Sequence, residues 1–151
     1  MLDNTKIDII TDNIDIYKLK KLSDKGKLFC SFYNIKPTEK INNPKSSIIE
    51  TIFIKIPLPS ILIDNRDEDT WKIESGSHII GNIFDYMENK FQLSGMEYLP
   101  ELNGKKFFEL ERKYQRRIED CSLHCVMIRP NTPENIAINI YDRFKILNNY
   151  N

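Results

Sequence analysis

The sequence predicts an α/β (α+β) fold, a single domain with a small mixed sheet and flanking helices. Three observations predict it. Apolar residues recur at helical spacing over 48–53, 79–87 and 136–147; short apolar or alternating runs at 7–16, 28–33, 61–63, 71–73 and 123–128 read as strands; and turn residues separate the two kinds of segment. A length of 151 residues suits one core, and 40% hydrophobic against 29% charged residues is the composition of a globular chain.

In chain order, Ile7/Ile9 and Ile14/Ile16 suggest short strands, or an arm that packs on a partner. Residues 17–25, with Leu19 and Leu22 three apart, read as a short helix stopped before Gly26. The chain thus divides into an arm and short helix at 1–27, a domain at 28–147, and a frayed tail at 148–151. Residues 28–33 read as a strand, and 35–45, with Pro37 and Pro44, as a loop. Ser47 and Glu50 have the spacing of a capping box, after which Ile48, Ile49, Ile52 and Phe53 line one helical face up to Pro57 and Pro59. Ile61–Ile63 and Trp71–Ile73, joined by an acidic turn over 65–69, form a hairpin.

The helical spacing of Ile79, Ile80, Ile83, Phe84 and Met87 predicts a helix over 78–89. A short strand at 91–93, a turn at 99–104 and a charged helix at 107–119 follow. Residues 123–128 are a buried strand, and Thr132-Pro133-Glu134 opens a last helix with a cap, a first-turn proline and an acid at the positive end of the dipole. Ile136, Ile140, Phe144 and Leu147 supply its core face.

Lys plus Arg and Asp plus Glu both number 22, so the molecule as a whole has no pull toward nucleic acid or an anionic membrane. No apolar run approaches the roughly 18 residues a bilayer span needs, and the start of the chain lacks a secretory pattern. The odd set Cys30, Cys121 and Cys125 fits free thiols in a reducing compartment. The expectation is a soluble intracellular protein, of cytoplasm, nucleus or virion, with no membrane insertion. Abundant Ile, Asn and Lys point to an AT-rich genome.

Four clusters invite a chemical reading. Cys121, His124 and Cys125 fall within five residues of one strand and cannot all point the same way, so they read as structural and no metal is expected. Asp64, Asp67, Glu68 and Asp69 lack the spacing, glycine and terminal glutamate of a calcium loop and read as a solvated hairpin tip. Arg112, Lys113, Arg116 and Arg117 are interleaved with Glu111, Glu119 and Asp120 and read as a solvated helix face. Ser75-Gly76-Ser77-His78 sits between a strand and a helix, where free N–H groups could cradle a phosphate. The alternative there is that Ser77 simply caps the helix.

The blocks SSIIETIFIKIPLPSILI, IFDYMENKFQLSGMEYLPELNGKKFFEL, QRRI and RPNTPENIAINIYDRF, spread from Ser46 to Arg143, resemble the N-terminal domain of GmrSD-type modification-dependent restriction endonucleases. The resemblance implies a ParB/sulfiredoxin-like fold. Members of that family place an Asp-Gly-Gln-Gln-Arg motif, tied to nucleotide binding and hydrolysis, directly before the IFDY-type helix. Here Ser75, Gly76, Ser77, His78 and Ile79 stand in that place, and only the glycine survives. The lost Asp takes away a metal or base ligand, and Ile79 in place of Arg takes away the fork that would hold a phosphate. The family's upstream Gln-Arg pair is absent near Lys36–Thr38, the chain ends soon after its YDRF block, and it carries no HNH-type nuclease domain.

The resemblance and its departures imply a catalytically inactive domain that serves as a binding or structural protein, with a virus or mobile element as a compatible source. The expected partner is another protein or a second copy of the chain. A nucleotide or nucleic acid held by Ser75, Gly76, Ser77 and His78 is the alternative, and a rewired NTP hydrolase using His78 and Glu74 the second. No catalytic residue, metal or cofactor is expected.

Overall fold

The computed structural model describes residues 6–30 and 43–149. The fold is mixed α/β. Among the described residues a five-stranded sheet has the order β1-β5-β3-β4-β2, formed by β1 (Ile9–Asp15), β2 (Leu28–Cys30), β3 (Ile61–Asp64), β4 (Trp71–Ser75) and β5 (Ser122–Ile128). The helices are α1 (Ile16–Asp24), α2 (Pro44–Phe53), α3 (Ser77–Met87), α4 (Arg112–Glu119) and α5 (Glu134–Asn149). None of them is long and apolar enough to cross a membrane. The chain forms two compact units, the first of Met1–Ser31, Pro59–Ser77 and Ser122–Asn151, the second of Phe32–Leu58 and His78–Cys121.

The first unit is built on the sheet. Its centre is β3, all four residues of which are buried. This strand pairs in parallel with β5 and antiparallel with β4, and the β3–β4 ladder carries a register shift between Leu62 and Ile63. The edge strands are β1, antiparallel to β5, and β2, parallel to β4. Alternation along β5 buries Leu123, Cys125 and Met127 while Ser122 and His124 stay exposed. Asp15 caps α1 by accepting from the Lys18 N–H at 2.7 Å, and Gly26, at φ +72°, follows the helix in the left-handed region that glycine tolerates. Helix α5 packs on β3 and β4, with Ala137, Ile140, Tyr141 and Phe144 against Leu62 and Ile128.

The second unit holds α2, most of α3, and α4, with buried Ile49, Ile52, Phe53, Ile80, Ile83, Tyr86, Leu93 and Ile118. Glu50 organises it. This residue is 7% exposed, and its carboxylate accepts from the N–H groups of Glu97 (3.0 Å), Tyr98 (2.9 Å) and Leu99 (3.1 Å). Three backbone donors satisfy a buried charge that would otherwise be costly. Phe53 stacks edge-on against Tyr114 at 5.2 Å, and the Tyr86 hydroxyl donates to the Lys105 carbonyl at 3.0 Å.

Several expectations are corrected. Helix α2 starts at Pro44, inside the expected loop; Asn43 is its cap and Pro44 its first residue, so Ser47 lies within the helix and Glu50 turns to the 97–99 loop. Residues 91–93 are not a strand: the Leu93 N–H and carbonyl bond to Lys105 and Gly104 in a loop. The helix expected from Phe107 is a 3-10 turn at Phe107–Glu109, broken by extended backbone at Leu110 before α4 begins. Leu147 is 71% exposed and lies off the core face of α5, which Ala137, Ile140, Tyr141 and Phe144 supply. Residues 31–33 of the expected strand and 35–42 of the expected loop lie outside the described residues, as do 150 and 151.

Two glycines predict different costs on substitution. Gly26 faces open space, so Gly26→Ala carries only the left-handed strain, about 1 kcal/mol. At Gly76, φ is +95° and a Cβ would overlap Cδ1 of Ile61, which is 0% exposed and must repack. Gly76→Ala is expected to cost about 3 kcal/mol, the sum of strain and overpacking. Urea unfolding of both variants measures the difference.

Candidate functional site

The sequence singled out the turn Ser75-Gly76-Ser77-His78. In the first unit, Ser75 ends β4 and Ser77 is the first residue of α3 rather than the residue before it. Both are largely buried, at 9% and 8% exposed. The Ser77 hydroxyl donates back to the Ile73 carbonyl at 3.3 Å. Gly76 is needed for a structural reason, since β3 passes so close that Ile61 fills the space a side chain would take. His78 opens the second unit; it is half-buried, and burial pushes its imidazole below the ordinary histidine value. The His78 carbonyl accepts from the Asn82 amide at 2.6 Å, a bond along α3. Glu74 precedes the turn on β4, and burial and then the neighbouring Asp64 push its carboxyl up.

Of the cysteine cluster, Cys125 is buried in the sheet while the adjacent His124 faces out, its Nδ1 lying 3.4 Å from the Asn13 side-chain oxygen. Burial pushes the Cys125 thiol up to about 11, away from thiolate chemistry. In α4, Arg112 pairs with Glu119 at 2.6 Å, and Lys113 lies 3.8 Å from Glu111 on the solvated face.

The acidic hairpin holds what sequence reasoning missed. Asp64 was grouped with the solvated tip, yet it ends the central strand and is 7% exposed. The Arg66 guanidinium grips it, Nη2 to Oδ2 at 2.8 Å and Nε to Oδ1 at 3.0 Å, while the Arg66 N–H donates to Oδ1 at 3.0 Å. The Tyr141 hydroxyl, from α5, donates to Oδ2 and accepts from Arg66 Nη2 at 3.2 Å. Burial alone would raise the Asp64 carboxyl, but these donors outweigh it and hold it below the ordinary aspartate range. Burial and the Asp64 bond raise the Tyr141 phenol in turn. No one-dimensional pattern links Asp64 to Tyr141, which is 77 residues away. A hint did exist: Asp64 directly continues an apolar strand run, so it inherits the strand's burial.

Beside this network lies a cleft of about 190 Å³, lined by Asp64, Arg66, Asp67, Thr70 and Lys72. Asn65 shapes the turn from within: its side-chain amide donates to the Thr70 carbonyl at 3.1 Å, and its oxygen accepts from Arg129. Among the described residues no three His, Cys, Asp or Glu side chains are grouped so as to hold a metal ion.

Compared with models of protein families, with curated proteins and with solved structures, the chain matches none.

The Asp64 network makes a signed prediction. Arg66→Ala leaves a buried carboxylate without its cation and is expected to cost about 3 kcal/mol at neutral pH. Tyr141→Phe removes one bond to a charged group, about 2 kcal/mol. Because the folded Asp64 pKa is depressed, its stabilisation is complete above the unfolded aspartate range and disappears as pH falls through the folded value. Both penalties should therefore shrink in acid, as measured by urea unfolding across pH, and the double variant should lose less than the two losses added.

Proposed function

We propose that the chain is a degenerate, catalytically inactive relative of the GmrSD N-terminal domain, with a ParB/sulfiredoxin-like scaffold, that works as a protein-binding or structural module. The kinship rests on the four residue blocks quoted above. The observation that carries the functional reading is the packing of the Gly76 turn. Its serines are buried, Ser77 bonds back to its own strand, and Ile61 fills the space over the glycine. A phosphate cradle needs the reverse, open backbone N–H groups facing solvent. Among the described residues the side chains of Glu74 and His78 make no hydrogen bond to a nucleophile, so a rewired hydrolase has less support.

A contact surface is also at hand. Strand β1 lies at the sheet edge, paired on one side to β5, and Ile9 and Ile10 are 37% and 45% exposed. Among the described residues no further strand pairs with β1, and an edge with exposed β-branched residues is a template for pairing with another chain. A second copy of the chain is the simplest occupant.

Sedimentation equilibrium of the full chain is expected to give a mass above that of one chain. Ile10→Lys, which places a charge on the edge, should return it to a monomer with unchanged circular dichroism. Calorimetric titration with ATP or GTP and magnesium should give no heat. A monomer that binds either nucleotide at micromolar affinity, weakened by Ser77→Ala, would replace this reading with the nucleotide-binding one.

A further inference from the structure

The cleft beside Asp64 has an asymmetry of free groups. Its two carboxylates are occupied. Both Asp64 oxygens are held by Arg66 and Tyr141, and the Asp67 oxygens accept from the Asp69 N–H and the Thr70 hydroxyl, each at 3.1 Å. Its two cations are not. Arg66 uses Nε and Nη2 on Asp64 and leaves Nη1 without a hydrogen bond or ion pair among the described residues. Lys72 stands opposite Asp64 in the β3–β4 register, is exposed, and likewise makes no hydrogen bond or ion pair there, its charge being felt by Glu74 two residues along the strand.

From these free donors we infer that the cleft is a binding site for a small oxyanion, a phosphate or the phosphoryl group of a small monoester, held by Arg66 Nη1 and the Lys72 ammonium. Three physical points support it. The guanidinium is fixed in advance by Asp64 and Tyr141, so ligand binding does not have to order it. A planar fork plus a point charge is the usual donor set for a tetrahedral oxyanion. The cleft, at about 190 Å³, lies below the roughly 300 Å³ at which pockets begin to enclose a drug-sized ligand, which favours a compact anion over a whole nucleotide. The formal charge of the lining sums to zero, with Asp64 and Asp67 against Arg66 and Lys72, so recognition comes from directed donors and not from a net field. The site is separate from the Gly76 turn and does not depend on the function proposed above.

The test is an amide-shift NMR titration of the full chain with inorganic phosphate at low ionic strength, then with methyl phosphate. Saturable shifts over Arg66–Lys72 are expected, with a dissociation constant on the order of a millimolar, weakening as salt is added. Preference for methyl phosphate would identify an esterified ligand, and preference for inorganic phosphate the free ion; either supports the site. Arg66→Ala disturbs the fold, so the decisive variant is the exposed Lys72→Gln, expected to weaken binding about tenfold, the loss of one charge-assisted bond. Lys113→Gln, in the other unit, should change nothing. Shifts that never saturate, that centre on Gly76 and His78, or that survive Lys72→Gln unchanged would overturn the proposal.

Discussion

The first unit depends on a buried charge at the end of its central strand. Strand β3 is only four residues long and fully buried, and its last residue is an aspartate. An isolated carboxylate there would be expelled or protonated. Three groups prevent that: the Arg66 guanidinium, the Arg66 N–H and the Tyr141 hydroxyl. Because Arg66 comes from the hairpin and Tyr141 from α5, the same bonds fix the start of the turn and the seating of the last helix. Apolar contacts of Ala137, Ile140 and Phe144 bring α5 to the sheet without specifying its register along it; the aspartate supplies a directional requirement that the apolar contacts lack. The second unit uses the same device in another form, with Glu50 as the buried carboxylate and three backbone N–H groups as its donors.

Much of this architecture was legible in the sequence. Periodicity located α1, α3, α5, the β3–β4 hairpin and β5, because each of those segments buries one face or both. The errors fall where local bonding overrides periodicity. Asn43 and Pro44 form a better start for α2 than Ser47, and Glu50 is drawn away from a capping role by a loop 47 residues on. Phe91 and Leu93 are apolar because they pack within a loop, not because they lie in a strand. Leu147 keeps helical spacing with Phe144 and Ile140 but lies past the end of the sheet's cover.

The candidate site was legible only in part. Gly76 was singled out as part of a phosphate cradle, whereas the structural reason for a glycine there is contact with Ile61, which lies in a strand reached through the hairpin and is invisible to a local motif. The serines beside it are buried by the same close approach. Conversely, Asp64 was read with its acidic neighbours because composition averages over a turn, whereas burial changes sharply between Asn65 and Asp67. The side chains that fill β3, β4 and α5 are close-packed and tolerate little change in volume.

The central claim is that Asp64 is a buried, ionised carboxylate held by Arg66 and Tyr141. The most direct measurement is a carbon-13 NMR titration of the Asp64 carboxyl in the folded protein. A midpoint below the ordinary aspartate value, moving upward in Tyr141→Phe, is the predicted result. A midpoint at or above the ordinary value would mean that desolvation outweighs the donors, and would contradict the account.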